Sequence, residues 1–182
     1  MPYTPPPHLA ELSLPEIAKL VAERKLPPVE QWAPEASSDS RMRIAADGTW
    51  YHDGSPIRRE AMVRAFASLL MRDDAGQHWL VTPYERQSIE VEDAALIAVD
   101  VKQDDGALAF RLNTDDLVIA GPDHPLRAAG DPETPAIYLS ARRGCEAKLN
   151  RSTYQQLADI ALAAGDDWRV TSMGERYSLL PE

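Results

Sequence analysis

Cysteine is nearly absent: Cys145 is the one thiol in 182 residues. That excludes a disulfide framework and any cysteine-based zinc cluster. Basic residues are in deficit, 19 against 29 acidic ones, and the formal net charge is −10. A chain so acidic does not wrap a polyphosphate, so a nucleic-acid polymer is excluded as a partner. A few local arginines can still hold a small anion. No apolar run approaches the ~20 residues of a membrane span. The opening residues MPYTPPPHLAELSLPE carry neither a basic leader nor an apolar signal core, and the expectation is a cytoplasmic protein with no membrane partner. Catalytic signatures are missing too. There is no G-x-G-x-x-G, P-loop, G-x-S-x-G or H-E-x-x-H, so dinucleotide, NTPase, hydrolase and metalloprotease chemistry has no motif here. His8, His52, His78 and His124 lie far apart; only the fold could assemble a metal site from them. No cofactor and no resident metal are called for.

What is present is an ordinary globular composition, 44% hydrophobic and 26% charged, of a size for one domain or two small ones. Eight of the 15 prolines lie at or before Pro34. Pro2, Pro5, Pro6 and Pro7 predict an extended, mobile start. Ser13-Leu14-Pro15-Glu16 then resembles a capping box, with Pro15 suited to a first helical turn. The expected organisation is a Pro-rich leader with one short helix over 1–40, an N-terminal α+β domain over 41–93 and a β-rich α+β domain over 94–182. Asp47-Gly48 joins two strand-like runs, 42–45 and 49–52. Ala61, Met62, Ala65, Phe66, Leu69 and Leu70 mark the buried stripe of a helix over 58–71. Strands are expected at 79–82, 88–92, 96–102, 108–112, 117–120, 136–141, 146–149, 168–173 and 175–179, with a helix over 151–163. The Gly- and Pro-rich stretch 121–135 reads as a long loop holding at most a short strand near Leu126.

An internal repeat runs through this pattern. Trp79-Leu80-Val81-Thr82 and Glu85-Arg86-Gln87-Ser88-Ile89 reappear as Trp168-Arg169-Val170-Thr171 and Glu175-Arg176-Tyr177-Ser178-Leu179. Each copy has a glycine three positions before its tryptophan, Gly76 and Gly165, and a helical stripe upstream. Each unit is therefore strand, helix, strand, strand. Two related units in one chain suggest a ligand seam between them, a preferred place for a small molecule.

Several clusters carry candidate chemistry, each beside a plainer reading. Gly121-Pro122-Asp123-His124-Pro125-Leu126-Arg127 sets an acid, an imidazole and a guanidinium in a loop stiffened by prolines. It reads as a ligand loop or as a structural turn capped by Asp123. Glu90, Glu92 and Asp93 form an acidic edge, solvated, metal-ligating or accepting from ribose-type hydroxyls. Trp50 and His52 flank a tight turn, where Trp50 serves the core or stacks on a ligand. Cys145 follows Arg142 and Arg143, whose charges lower a thiol pKa if it is exposed; a buried, inert side chain is the plainer reading.

Asp47-Gly48-Thr49-Trp50-Tyr51-His52-Asp53-Gly54-Ser55-Pro56-Ile57, Trp79-Leu80-Val81-Thr82-Pro83, Ile89-Glu90-Val91-Glu92-Asp93-Ala94 and Ala120-Gly121-Pro122-Asp123-His124-Pro125-Leu126-Arg127 resemble the bacterial family catalogued as domain of unknown function 1285. The resemblance spans about 41–180 and leaves out the leader. It implies an α+β architecture with a duplicated core, and a C-terminal antiparallel sheet superficially like that of pleckstrin-homology domains. It also implies a ligand site between the halves for a nucleotide-based molecule, and a role in signalling. It implies no catalytic residue. The expected function is thus a sensor or adaptor binding a small anionic or nucleotide-like ligand. Arg127 would meet the anion, Trp50 would stack, and Asp123 or Glu92 would accept from hydroxyls, with His52 and His124 alongside. The alternatives are a metal-assisted hydrolase using Glu90, Glu92, Asp93 and His124, and a protein-interaction module without a small ligand, whose partner the sequence does not identify.

Overall fold

In a computed structural model, which describes residues 3–165 and 167–182, the α+β chain divides into two units, each built on one six-stranded sheet. The N-terminal unit comprises 25–96 with 141–146; the C-terminal unit takes the chain up to Arg24, 97–140 and 147–182. Pro2, expected in the mobile start, lies outside the described residues.

The N-terminal unit begins with β1 (Ala36–Ile44), β2 (Trp50–His52) and β3 (Ser55–Pro56), crosses through α2 (Glu60–Ala67), and returns as β4 (Leu70–Arg72), β5 (His78–Val81) and β6 (Glu85–Val91). Two antiparallel meanders meet where β1 and β6 pair in parallel, giving the order β3-β2-β1-β6-β5-β4. One face of this sheet is the core. Ile44, Trp50, Leu70, Leu80 and Ile89 are all at most 3% exposed, and the Trp50 ring stacks on Phe66 of α2 with centroids 6.4 Å apart. Alternation along the strands sends Arg43, Tyr51, Ser88 and Glu90 to the opposite face.

Two boundaries differ from the periodicity. The helix expected over 58–71 stops at Ala67, because Leu70–Arg72 pair with β5 in the register Leu70↔Leu80 and bury Leu70 in the sheet. A helical stripe and a buried strand share the same short apolar run, and the tertiary pairing decides. The first strand starts at Ala36, within the stretch assigned to the leader. Its first four residues are exposed, so no hydrophobic alternation announces them; the β6 backbone fixes them instead.

The C-terminal unit runs β7 (Leu96–Asp104), β8 (Ala107–Leu112), β9 (Leu117–Ile119), β10 (Leu126–Asp131), β11 (Thr134–Arg142) and β12 (Cys145–Leu149), then α3 (Arg151–Ala164) and the hairpin β13 (Arg169–Ser172) and β14 (Glu175–Ser178). Its strand order is β10-β11-β12-β7-β8-β9. Read from β9, that is third-second-first-sixth-fifth-fourth, the same order as in the N-terminal sheet, so the core is duplicated. A strand, a helix and a tryptophan-bearing hairpin also recur, as β3-α2-β4-β5-β6 and as β12-α3-β13-β14, the first copy having the extra strand β4 between helix and hairpin. The Trp-x-Val-Thr/Glu-Arg-x-Ser hairpins differ in setting: β5–β6 lies inside the large sheet, whereas β13 and β14 pair with each other.

Two further expectations are corrected here. The expected long loop 121–135 contains β10, whose six residues pair antiparallel with β11. Its prolines lie in the flanking turns and at the start of β11, and Gly130 lies on the edge strand β10, positions where they cost little. The start of the chain is held, not loose. A capping box between Ser13 and Glu16 opens α1 (Leu14–Glu23). Leu9, Leu12 and Ile17 are buried with Ala109, and Leu117 and Ile119 pack against them. Arg111 donates to the carbonyls of Pro6 and Pro7 at 3.2 and 3.1 Å, Tyr3 donates to Asp115 at 2.6 Å, and Arg24 Nε meets Asp116 at 2.6 Å.

Candidate functional site

The β1–β6 ladder opens in one place. Asp39 pairs with Ser88 and Arg43 with Glu90, so three residues on β1 stand opposite one on β6. Arg41, in this bulge, has φ +56°, a left-handed conformation that a non-glycine residue keeps only where its surroundings impose it. Local bonds impose it here. Asp39 accepts from Arg41 N at 2.8 Å. Ser40 Oγ donates to Ser88 O at 2.6 Å and accepts from Met42 N at 3.1 Å. Arg41 O takes a bond from Asp53 N at 3.0 Å. The parted strands leave a cleft of about 450 Å³ lined by Asp39, Arg41, Arg43, Tyr51, Ser88 and Glu90, with Met42, Gly54, Gln77 and Ile89 completing the wall. That volume suits a small molecule.

The charges on this wall are unequally engaged. Arg43 lies over the Tyr51 ring, 4.4 Å from its centroid, and is ion-paired with Glu92, which also accepts from Ala46 N at 2.9 Å. Arg41 Nε lies 3.4 Å from Asp53 Oδ1, and both side chains are at least half exposed; such a pair holds weakly. Asp53 also lies 3.6 Å from His52 Nε2. Glu90 faces Arg43 across the ladder, yet its carboxylate makes no ion pair or hydrogen bond among the described residues, Arg43 being drawn to Glu92 instead.

The sequence-selected residues fall into two groups. Glu92 and His52 border this cleft through Arg43 and Asp53. Trp50, one residue from Tyr51 on β2, is 2% exposed and belongs to the core. Asp123, His124 and Arg127 are in the C-terminal unit. There Gly121 and His124 close a short bridge, His124 Nδ1 lies 3.0 Å from Ser140 O, and the Arg127 guanidinium sits 4.2 Å above the Tyr138 ring. Glu90 is in the cleft wall, and no three His, Cys, Asp or Glu side chains converge as metal ligands among the described residues. Cys145 is 1% exposed. Burial pushes its thiol up to about 11, outweighing the guanidinium groups of Arg142, Arg143 and Arg72.

Sequence reasoning does not single out Arg41, Arg43, Tyr51 or Ser88. Tyr51 and Arg43 are neighbours in register, a pairing that Asp47-Gly48 in the loop between their strands suggests. The bulge that brings Arg41 and Ser88 to the cleft leaves no mark in the sequence.

The chain matches two family descriptions, "Domain of unknown function (DUF1285), N-terminal domain" over residues 27–94 and "Protein of unknown function (DUF1285), C-terminal domain" over 95–179. It is similar to the crystal structure of a DUF1285 family protein from Silicibacter pomeroyi DSS-3, with 37% identity, a TM-score of 0.77, and coverage of 93% of this chain and 95% of that one. A DUF1285 family protein from Shewanella baltica OS155 is similar at 26% identity and a TM-score of 0.53, over 65% of this chain and 90% of that one. No curated protein matches. None of the candidate helices is long and apolar enough to cross a membrane, among the described residues.

Proposed function

The chain belongs to the DUF1285 family, and we propose that it is a ligand-binding protein, a sensor or adaptor in signal transduction, that takes a small anionic ligand into the β1–β6 cleft of its N-terminal unit. The observation that carries this reading is the opened ladder itself: a parallel pair parts over three residues and presents Arg41, loosely held and turned to the cleft wall, beside Arg43. Arg41 is the anion contact. Its exposed pair with Asp53 is exchanged at little cost, and a guanidinium gives an anion paired, charge-assisted bonds. Tyr51 supplies the aromatic surface, since Trp50 faces the core. Binding is favoured over catalysis because the wall carries neither histidine nor cysteine, and Asp39, the acid paired with Ser88 across the ladder, spends a carboxylate oxygen on Arg41 N.

Native mass spectrometry of freshly purified protein, followed by NMR before and after stripping, tests the assignment. The expected result is a retained polar compound whose removal shifts the amide signals of residues 39–43, 51 and 88–90. A retained compound whose removal leaves those signals in place refutes the cleft as the site.

A further inference from the structure

We infer that the ligand of this cleft is zwitterionic, a small molecule carrying an ammonium group as well as its anion, with Arg41 and Glu90 reading the two ends. The inference rests on the cleft being the ligand site and adds the chemical class. Glu90 is the observation behind it. A glutamate placed in register with an arginine on the neighbouring strand ordinarily pairs with it, since opposite charges directly across a ladder attract. Here Arg43 is held by Glu92 and by the Tyr51 ring, so the exposed Glu90 borders the cleft with no protein cation paired to it among the described residues. Asp39, the other acid on the wall, uses one oxygen for Arg41 N.

The balance points the same way. The wall holds Asp39 and Glu90 against Arg41 and Arg43, while the ion-pair partners Asp53 and Glu92 stand just behind the arginines. A plain anion entering this cleft meets Arg41 but leaves Glu90 facing it, and like charges repel. A plain cation satisfies Glu90 but meets Arg41. Only a molecule with both groups answers both: Arg41 stands on β1 two residues from Arg43, the cross-strand partner of Glu90, roughly 7 Å of strand, and two long side chains reaching inward bring their charges within the span of a small zwitterion. Specificity arises from the repulsive contact each singly charged competitor would make.

Three compounds sharing one carbon chain separate the possibilities: L-norvaline, pentanoate and 1-aminopentane, each titrated by NMR into wild type, Glu90→Gln and Arg41→Gln. The expected result is norvaline binding at least tenfold more tightly than pentanoate, with 1-aminopentane weaker than norvaline by a similar factor. Glu90→Gln should bring norvaline down to the affinity of pentanoate and leave pentanoate no weaker. Arg41→Gln should abolish pentanoate binding. Both positions are exposed, and unchanged circular dichroism confirms that each variant folds. If pentanoate matches norvaline, or Glu90→Gln leaves norvaline unaffected, the zwitterion is overturned while the cleft stands as an anion site. If none of the three shifts the cleft signals of folded wild type, the cleft reading fails and the inference fails with it.

Discussion

Ser40→Ala tests whether the opening of the β1–β6 ladder is built into the sequence or incidental to it. Ser40 is 8% exposed, and its hydroxyl replaces two missing ladder bonds by donating to Ser88 O at 2.6 Å and accepting from Met42 N at 3.1 Å. Removing the oxygen orphans both backbone groups, and their fates differ. Ser88 lines the cleft, so its carbonyl can recover a water, and its loss is near the net value of one bond, about 1 kcal/mol. Met42 also borders the cleft but is only 8% exposed, so water reaches its N–H less readily and the loss is about 1–2 kcal/mol. The variant should therefore lose about 2–3 kcal/mol, an unusually large cost for a serine truncation. Urea unfolding followed by far-UV circular dichroism measures it, with an expected midpoint decrease of about 1 M for a slope near 2–3 kcal/mol/M. A loss under about 0.5 kcal/mol, the level of an ordinary surface change, would show that the hydroxyl does not close the ladder and would remove the structural basis of the cleft.

Trp50→Ala should destabilise the N-terminal unit by about 3–5 kcal/mol, since it empties a buried ring site against Phe66; a near-neutral result in thermal melts would mean that the ring is not core. Ile17→Ala, in α1, should cost the C-terminal unit about 2–4 kcal/mol because Ile17 is fully buried, and limited proteolysis should then cut near the start of the chain. A start that is cut equally fast in wild type would contradict its docking. The Cys145 thiol should resist iodoacetamide at neutral pH in the native state and react readily in urea. Its folded pKa is raised from 9.0 to about 11, so the folded state holds its proton more tightly than the unfolded state. The resulting stability is complete below about 9 and declines as pH rises toward 11. Fast alkylation of the native protein at pH 7 would refute the burial argument.

Much of the fold was legible because the signals were local. The capping box at Ser13 and Glu16 and the Asp47-Gly48 loop announce themselves within four residues, and α3 follows from a sustained helical stripe ended by Gly165 at φ +65°. The failures share one physical cause, a pairing partner remote in sequence. Ala36–Asp39 are exposed polar residues made into a strand only by Glu85–Ser88. Leu70 fits a helix until Leu80 claims it for the sheet. The strand Leu126–Asp131 hides among turn residues until β11 supplies its ladder.

The candidate site follows the same rule, one level up. Reading residue types found Trp50, His52 and Glu92, the conspicuous aromatic, imidazole and acid of this region, but not which face each would take. A step of one residue along β2 separates the core ring of Trp50 from the cleft ring of Tyr51, and with a period of two no composition argument can choose between them. The face is set by Ile44, Leu80 and Ile89, which bury one side of the sheet and thereby commit Arg43, Tyr51 and Glu90 to the other. Once that side is fixed, Glu92 proves to matter through Arg43 and not through a ligand of its own. By holding Arg43, it leaves the exposed Glu90 beside the cleft without an ion-pair partner among the described residues. The acidic edge seen in Glu90-Val91-Glu92 is thus two residues with different duties, one paired with an arginine and one hydrated and unpaired beside a cavity. Sequence alternation puts them on one face, but only the ladder register tells them apart.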